Sequence, residues 1–306
     1  ELFCPSYSYA VSKDPISGKD DHYLAVGLNS NLKESDFQRK KLNLVVVLDI
    51  SGSMGSSFDE YYYDMAGNYI LREGFVEEDR GKSKMEIANE SIVSLMNHLN
   101  DDDRLGIVLF DDSAYLAKEL NYVGETDMDA IKNHILEIRE EGGTNMESGM
   151  ELGTKLFDEL KDVDPEEYEN RIIFLTDAMP NTGDISEDGL MGQMAINADD
   201  AIHSSFIGIG LDFNTELIES ISKVRGANYY SVHNSTDFKK RMDDEFEFMV
   251  TPLVYDLELK LDAEGYEIEK IYGSPQADES TGEIMKVNTL FPSSTEGGET
   301  KVELFY

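Results

Sequence analysis

Apolar residues in the middle of the chain occur in short, almost continuous runs. Four runs have this character, residues 42–48, 104–110, 171–176 and 204–210, and residues 227–232 form a further short strand candidate. Runs of this length predict strands that are buried on both faces of a sheet. Between and after these runs, apolar residues recur every three to four positions, which predicts helices. The predicted helices span residues 82–99, 128–138, 146–160, 188–202, 214–224 and 235–249.

The alternation of strands and helices from residue 40 to residue 250 predicts the fold class. It is typical of an α/β domain with a doubly wound, mostly parallel, Rossmann-like sheet flanked by helices. The chain ends differ, because their apolar residues alternate with polar ones. Such stretches lie at residues 23–29, 253–261, 266–272, 283–290 and 301–306.

We therefore expect a second, smaller unit at the chain ends. The N-terminal segment 1–39 and the C-terminal segment 251–306 would together form a small β-sandwich-like domain. Fifty-six residues make a thin sandwich alone, so the strand near the N-terminus is expected to complete it. The sequence stops within a predicted strand, which leads us to expect a longer parent protein.

Charge narrows the classes of partner. The 306 residues include 26 lysines and arginines and 63 aspartates and glutamates, a formal net charge of −37. Nucleic acids and anionic membrane surfaces select basic proteins, so neither is an expected partner. No apolar stretch reaches the ~18 residues of a membrane span, and the single cysteine, Cys4, excludes an intrachain disulfide. An acidic surface is equally typical of a protein adapted to salt.

Oxygen-bearing side chains directly follow the first buried run. Asp49, Ser51 and Ser53 alternate within a glycine-containing turn, so an extended backbone directs all three toward one point. In open α/β sheets, ligands bind outside the carboxyl ends of the strands. Carboxylates and hydroxyls are hard ligands, which suit Mg²⁺, Ca²⁺ or Mn²⁺ better than zinc or copper. The turn is therefore a candidate site for a divalent ion.

Two further loops lie at the same predicted edge of the sheet. Thr144 follows two glycines at the start of a helix, and Asp177 follows the third strand. The complete set would contribute two negative charges, which neutralise a divalent ion but leave its coordination incomplete. An Asp or Glu carboxylate of a protein partner is the natural remaining ligand. The sequence therefore predicts protein binding that depends on a metal ion.

These motifs resemble those of a known family. DISGSM (residues 49–54), GGTN (142–145) and IIFLTDAMPNTG (172–183) are similar to motifs of von Willebrand factor type A domains with a metal-ion-dependent adhesion site. The resemblance covers residues 40–250 and implies an extracellular or cell-surface adhesion module rather than an enzyme. The turn and the β segment after the last helix resemble the branch of inter-alpha-trypsin-inhibitor heavy chains and calcium-activated chloride channel regulators. The implied ion ligands are Asp49, Ser51, Ser53, Thr144 and Asp177.

Two departures from the family pattern lie close to these motifs. Ala178 stands where relatives usually have glycine, which could tighten the turn after Asp177 without removing the ligand. Residues 56–81 form an insertion between the ion-binding turn and the next helix. Aromatic rings bury much area at interfaces for little lost entropy, although the same residues would also serve to cover the helix below. The candidate partner-binding residues are Tyr61, Tyr62, Tyr63, Asp59 and Glu60.

A hydrolase is the enzymatic alternative. A serine after a buried strand is typical of a nucleophile elbow, but that elbow needs glycine two residues earlier, where Ser51 precedes Ser53. His203 and His233 are the candidate bases, and each is more often a structural histidine. No phosphate-binding loop or zinc motif accompanies them. We therefore expect no enzymatic activity.

Other interpretations concern the cellular context. Type A domains also dock to ATP-driven chelatases and remodelling complexes, so a cytoplasmic subunit of that kind is the alternative function. Two glycosylation sequons, at Asn89 and Asn234, are compatible with export but also arise by chance. Secondary calcium sites are a further interpretation of two acidic pairs, although charged loops are expected in so acidic a chain. These pairs are Asp111 with Asp112 and Asp184 with Asp188.

Overall fold

The computed structural model describes residues 3–30, 37–58, 61–63, 69–71, 76–160, 163–179, 189–210, 215–273 and 277–292. The strands are β1 (Phe3–Lys13), β2 (Asp20–Ser30), β3 (Lys41–Asp49), β4 (Tyr61–Tyr63), β5 (Tyr69–Leu71), β6 (Arg104–Phe110), β7 (Ala114–Tyr122), β8 (Tyr168–Thr176), β9 (Ile202–Ile209), β10 (Asn228–Val232), β11 (Val254–Lys260) and β12 (Glu283–Leu290). The α-helices are α1 (Lys84–Met96), α2 (Met128–Leu136), α3 (Met146–Lys155), α4 (Leu190–Asp199), α5 (Thr215–Ser222), α6 (Ser235–Lys239) and α7 (Phe246–Val250). Within these ranges, every helix is too short or too polar to span a bilayer.

Six strands form the central sheet, in the order β10-β9-β8-β3-β6-β7. β3 pairs in parallel with β8 on one side and with β6 on the other, and β9 and β10 continue the parallel pairing. β7 runs antiparallel to β6. The predicted α/β fold with a mostly parallel sheet is therefore confirmed. Because the chain leaves β3 for β6 and later returns to β8, the carboxyl end of β3 is a topological switch point.

Alternate residues of β3 contribute to two separate cores. Leu44, Val46 and Leu48 pack on the face that α1 and α2 cover. Val45 and Val47 pack on the opposite face, which α3, α4 and α5 cover. All five side chains are at most 1% exposed. Burial on both faces is the reason that this strand is apolar at almost every position.

The predicted helix at residues 235–249 is interrupted. The segment Lys240–Asp244 is π-helical, and the N–H of Glu245 donates to the carbonyl of Lys240 at 2.9 Å. In an unbroken α-helix, Phe246 would be rotated by about 80° from Phe238 around the axis. The extra residue of the π-helical turn reduces this rotation. Both rings are consequently fully buried in the same core.

β7 is a strand that the apolar pattern does not predict. It lies at the edge of the central sheet, where most of its side chains are exposed or half-buried. Its pairing with β6 is irregular, and the ammonium group of Lys118 donates to the carbonyl of Leu105 at 2.7 Å across this irregularity. The long polar side chain thus lies over the sheet at a position where alternation would require an apolar residue.

The predicted strand at residues 266–272 is wrong. Gly265 and Gly273 flank this stretch with φ values of +87° and +86°, a backbone region that breaks extended structure. The N–H of Ile271 donates to the side chain of Glu279 at 3.1 Å. This backbone N–H is therefore bonded to a side chain and not to a neighbouring strand. The predicted strands at 253–261 and 283–290 agree with β11 and β12, and residues 301–306 lie outside the described residues.

The described strands at the chain ends form two antiparallel hairpins, β1–β2 and β11–β12, which share no backbone hydrogen bonds. A ring contact joins the first hairpin to the segment between β11 and β12: Tyr266 packs edge-on against His22 with centroids 6.0 Å apart. The sandwich-like domain of residues 1–39 and 251–306 stays a prediction, as does the division at residues 40 and 250.

A buried polar cluster attaches β11–β12 to the amino-terminal end of the central sheet. Glu169, the second residue of β8, contacts Arg171 and Nδ1 of His203 at 2.7 Å each. The hydroxyl of Tyr255, on β11, lies 3.0 Å from Nδ1 of His203 and 3.3 Å from Glu169. The C-terminal hairpin is therefore fixed at the end of the sheet opposite to the candidate metal site.

Candidate metal centre

The carboxyl ends of two neighbouring strands bring the predicted carboxylates together. Asp49 is the last residue of β3, Asp177 directly follows β8, and the two strands are parallel neighbours. The N–H of Ile50 donates to the carbonyl of Phe110, at the end of β6, at 2.8 Å. The turn that follows Asp49 therefore begins at the switch point of the sheet, where doubly wound folds bind ligands.

Asp49 is fully buried, and both of its carboxylate oxygens accept hydrogen bonds. Oδ1 accepts from the N–H of Ser51 at 2.8 Å, and Oδ2 accepts from the hydroxyl of Thr176 at 2.5 Å. Burial raises the pKa of Asp49 and the charge of Asp177 adds to the increase, while these hydrogen bonds act in the opposite direction. In the described part of the chain Asp49 has no ion pair, so a bound cation would relieve the cost of its buried charge.

Ser51, Ser53 and Asp177 form a continuous series of oxygen atoms. Oγ of Ser51 lies 3.1 Å from Oγ of Ser53, which donates to Oδ1 of Asp177 at 2.6 Å. Ser51 and Asp177 are buried, whereas Ser53 is exposed. Four of the five predicted ligands are thus adjacent, and the group opens to solvent at Ser53.

Thr144 approaches this group through its loop. The N–H of Gly52 donates to the carbonyl of Gly142 at 3.1 Å, which attaches the loop to the Ser-Gly-Ser turn. Gly142 has a φ of +73°, and a Cβ at this position would lie 2.8 Å from Oδ2 of Asp111. Both the backbone conformation and the available space therefore require glycine. Thr144 itself is exposed, and among the described contacts no hydrogen bond joins its hydroxyl to the other four side chains.

A lysine outside the predicted ligand set contacts it. Nζ of Lys84, the first residue of α1, lies 2.9 Å from Oδ2 of Asp177. Ser83 begins this helix with a capping box, and the N–H of Lys84 donates to the carbonyl of Ser56 at 2.9 Å. Because Ser53 donates to the other oxygen, Asp177 has a donor from the chain on each oxygen.

The donor set fits a hard divalent cation. Carboxylate and hydroxyl oxygens are the ligands that Mg²⁺, Ca²⁺ and Mn²⁺ prefer, and the buried charge of Asp49 favours a cation nearby. Among the residues that the structure describes, no three His, Cys, Asp or Glu side chains cluster as metal ligands do. The assignment therefore depends on hydroxyl ligands. The residues that would hold the ion are Asp49, Ser51, Ser53, Thr144 and Asp177.

The insertion at residues 56–81 leaves and rejoins the domain beside the candidate site. Ser57 pairs with Ser83 in an isolated antiparallel bridge, which brings the two ends of the insertion together. Phe58 is buried in the core, and Oδ2 of the buried Asp79 accepts from the N–H of Ser235 at 2.8 Å. These residues anchor the insertion and are not available to a partner.

Within the insertion, the candidate partner-binding tyrosines lie on a strand. Tyr61, Tyr62 and Tyr63 form β4, which pairs antiparallel with β5. Asp59 and Glu60 lie outside the described residues. A role of these five residues in partner contact stays a prediction.

One of the two sequons is not available for glycosylation in the folded protein. Asn89 is 1% exposed within α1, and its amide donates to the carbonyl of Ile138 at 3.1 Å. In the other sequon, Asn234 caps α6 by accepting from the N–H of Asp237 at 2.8 Å. Of the two sequons, the one at Asn234 is therefore the one that still supports export.

The acidic pair Asp111–Asp112 holds backbone groups. Asp111 accepts from the N–H of Ser113 at 2.9 Å, and Asp112 accepts from the N–H of Gly143 at 3.1 Å. Asp111 thus stabilises the turn between β6 and β7, and Asp112 stabilises the loop that precedes Thr144. Asp184 and Asp188, the other pair considered from the sequence, lie outside the described residues.

Thr176 and Lys84 are site residues that the sequence pattern does not identify. Thr176 precedes Asp177 directly, and a threonine at a strand end is unremarkable by itself. Lys84 follows a helix-capping serine, where a lysine is usually solvated. Their contacts with the carboxylates depend on the pairing of β3 with β8 and on the direction of α1, which are properties of the fold.

Comparisons with known proteins show which family model and which relatives the chain resembles. Residues 44–179 match the family model of the von Willebrand factor type A domain. Inter-alpha-trypsin inhibitor heavy chain 4 of Mus musculus is 23% identical over 178 residues, which are 56% of this chain and 18% of the relative. An uncharacterised protein of Synechocystis sp. is 25% identical over 206 residues, 67% of this chain and 41% of the relative.

Among solved structures, a von Willebrand factor type A protein from Catenulispora acidiphila has a similar fold. It aligns with a TM-score of 0.51 at 16% identity, over 84% of this chain and 52% of that one. The chain spans less than half the length of both sequence relatives. Residues 44–179 are therefore a von Willebrand factor type A domain, and the chain is similar to the branch that contains the inter-alpha-trypsin inhibitor heavy chains.

Proposed function

We propose that the chain is a protein-binding or adhesion module whose affinity for its partner depends on a divalent cation. A bound Mg²⁺, Ca²⁺ or Mn²⁺ supplies a positive centre that attracts an Asp or Glu carboxylate of the partner. The observation that carries the proposal is the hydrogen-bonded group of oxygens at the ends of β3 and β8, which becomes exposed at Ser53. The proposed ligands are Asp49, Ser51, Ser53, Thr144 and Asp177.

The roles of the individual residues follow from their environments. Asp49 and Asp177 supply charge, and their burial keeps water from screening it. Ser51 and Ser53 supply neutral oxygens, and Thr176 orients the carboxylate of Asp49. Thr144 completes the set from the loop that Gly142 attaches to the turn.

A binding function is preferred to an enzymatic one. The hydroxyl of Ser53 donates to the carboxylate of Asp177, which also contacts the ammonium group of Lys84, so both oxygens of this carboxylate already have a donor. His203, a candidate base from the sequence, belongs to the cluster at the opposite end of the sheet. Neither group is suited to activate Ser53 as a nucleophile.

The insertion is the proposed source of specificity. It leaves the metal-binding turn directly, and its two ends are joined by the bridge between Ser57 and Ser83. Tyr61–Tyr63 and the acidic residues Asp59 and Glu60 would favour a ligand whose own carboxylate has basic or aromatic neighbours. The net charge of −37 also favours such a ligand through long-range attraction.

We propose an extracellular or cell-surface location, based on the β-rich segments at both chain ends. The alternative is a cytoplasmic subunit that uses the same metal site to dock to an ATP-driven chelatase or remodelling complex. Immunodetection of the native protein in surface and cytoplasmic fractions separates the two. Recovery in the cytoplasm together with an ATPase would contradict the adhesion proposal.

The proposal is tested by capture of partners from the native source in Mg²⁺, in chelator, and in chelator followed by excess Mg²⁺. We expect partner proteins to be retained in Mg²⁺, released by chelator and recovered when Mg²⁺ is restored. The Asp49→Asn protein should capture none of them in any buffer. Capture that is insensitive to chelator would contradict a bridging ion.

A further inference from the structure

We infer that Lys84 competes with the divalent ion for Asp177. Its ammonium group forms an ion pair with the carboxylate that the ion would need as a ligand. The inference rests on the proposed function, since it concerns the same site. Lys84 thereby sets the concentration of divalent ion at which half of the sites are occupied.

The contact between Lys84 and Asp177 is direct and largely shielded from water. Nζ of Lys84 lies 2.9 Å from Oδ2 of Asp177, and the two side chains are 16% and 1% exposed. The other oxygen of Asp177 accepts from the hydroxyl of Ser53. A hydroxyl can turn its lone pairs toward a metal ion, but an ammonium group has no lone pair and repels the ion.

The surroundings hold the Lys84 side chain in this position. A Cβ at Gly210 would lie 3.1 Å from Cε of Lys84 and 3.5 Å from the ring of Phe58, so the aliphatic part of Lys84 passes through a narrow space beside these residues. The backbone of Lys84 is bonded to the turn through Ser56. The lysine is therefore constrained at both ends, unlike a surface lysine that samples many rotamers.

The consequence is an exchange of cations at Asp177. Without the ion, Lys84 compensates the buried charge of Asp177. When the ion binds, this ion pair must be broken, and any ammonium charge that stays nearby weakens the site. Removing the charge of Lys84 should therefore raise the affinity for the ion and lower the stability of the ion-free protein.

A matched pair of lysines makes the experiment specific. Lys84→Met keeps an unbranched apolar side chain in the narrow space while removing the charge. Lys82→Met changes the net charge equally, but Lys82 is 35% exposed and pairs with Glu90 rather than with Asp177. Lys84→Arg keeps the charge and reports on the shape of the side chain alone. Circular dichroism confirms that each variant is folded.

Isothermal titration with MgCl₂ or MnCl₂ alone gives the readout, together with the thermal midpoint in chelator and in saturating Mg²⁺. We expect Lys84→Met to bind the ion about tenfold or more tightly than wild type, about 1.4 kcal/mol. Its midpoint should be lower than wild type in chelator and should rise further on adding Mg²⁺. Lys82→Met and Lys84→Arg should bind the ion within about twofold of wild type, a change below about 0.5 kcal/mol.

The outcomes separate this inference from the proposed function. Equal or weaker ion binding by Lys84→Met, when the wild type does bind, overturns the competitor role and leaves the metal site intact. Ion binding by Lys84→Met alone supports the competitor role and shows that Lys84 blocks the site. Absence of binding in both proteins overturns both proposals.

Discussion

The hydroxyl of Thr176 donates a hydrogen bond of 2.5 Å to Oδ2 of Asp49, so the last residue of β8 orients the last residue of β3. Oγ1 of Thr176 also accepts from the N–H of Ala178 at 3.0 Å. One side chain thus fixes a carboxylate and shapes the turn that carries Asp177. Ala178 has no positive φ, so the turn accommodates alanine in place of the glycine usual in the family.

Replacing Asp49 should separate folding from ion binding. Asp49→Asn removes a buried charge but keeps the shape of the side chain, so we expect the variant in chelator to be at least as stable as wild type. Wild type should gain about 2.7 kcal/mol when Mg²⁺ is present at a hundred times its dissociation constant. Asp49→Asn should gain nothing. Urea unfolding with and without Mg²⁺ measures both quantities.

The control for this variant is Asp129→Asn, which removes an exposed charge in the first turn of α2. This control should keep the full gain in stability from Mg²⁺. An equal gain in Asp49→Asn and wild type would show that the ion binds elsewhere.

A single residue controls the loop that carries Thr144. Gly142→Ala imposes a positive φ on alanine, which costs about 1–2 kcal/mol, and also crowds Asp111. We expect a greater loss of stability than in Gly18→Ala, where φ is +71° and no atom lies within 4 Å of the new Cβ. We also expect weaker Mg²⁺ binding in Gly142→Ala alone. Equal losses of stability, with ion affinity unchanged in both, would mean that the contact with Asp111 has no role.

The sequence pattern was sufficient for the elements whose cores it encodes. The continuous run that became β3 predicts burial on both faces, and both faces are indeed buried. The same pattern predicts where Asp49 and Asp177 lie, because strand ends in a parallel sheet meet at one edge. Order along the chain and ligand chemistry were therefore enough to propose the site.

The remaining features depend on contacts that no local pattern contains. β7 is stabilised at an edge by pairing with β6, and its residue Lys118 interrupts the alternation that would reveal it. The stretch 266–272 has strand-like alternation but, within the part of the chain that the structure describes, no partner strand. Lys84 contacts Asp177 only because α1 starts beside the metal-binding turn. In each case, the tertiary partner decides the outcome.

The buried cluster at the far end of the sheet should make stability depend on pH. Burial alone raises the pKa of Glu169, but Arg171 and His203 outweigh this effect, so the pKa lies below its usual range. A carboxyl with a lowered folded pKa contributes stability above its unfolded pKa of about 4.3, and this contribution is lost as the pH falls through the folded value.

We expect Glu169→Gln to be about 3 kcal/mol less stable than wild type at pH 7, because Arg171 is left buried without its partner. The difference should narrow as the pH falls below the unfolded pKa of about 4.3, because the wild-type contribution is lost from there down to the lowered folded pKa. Urea unfolding of both proteins between pH 3 and pH 7 provides the test. A constant difference over this range would contradict the pKa shift.

The role of the insertion can be tested without damaging its anchors. Phe58 and Asp79 are buried, so replacing residues 59–77 by a short Gly-Ser linker retains both. We expect ion affinity within a few-fold of wild type and partner affinity lower by about tenfold or more, about 1.4 kcal/mol. Titration with Mg²⁺ and with a captured partner measures the two affinities. Unchanged partner affinity would mean that the insertion only covers the helix below and does not contribute to partner binding.

The most direct measurement is the anomalous difference map of crystals soaked in Mn²⁺. The account predicts one strong peak at the carboxyl ends of β3 and β8, in contact with the hydroxyls of Ser51 and Ser53. The ammonium group of Lys84 should have left Asp177, and the same crystals of Asp49→Asn should show no peak there. A wild-type map without density at this place, with Ser53 and Lys84 still bonded to Asp177, would contradict the account.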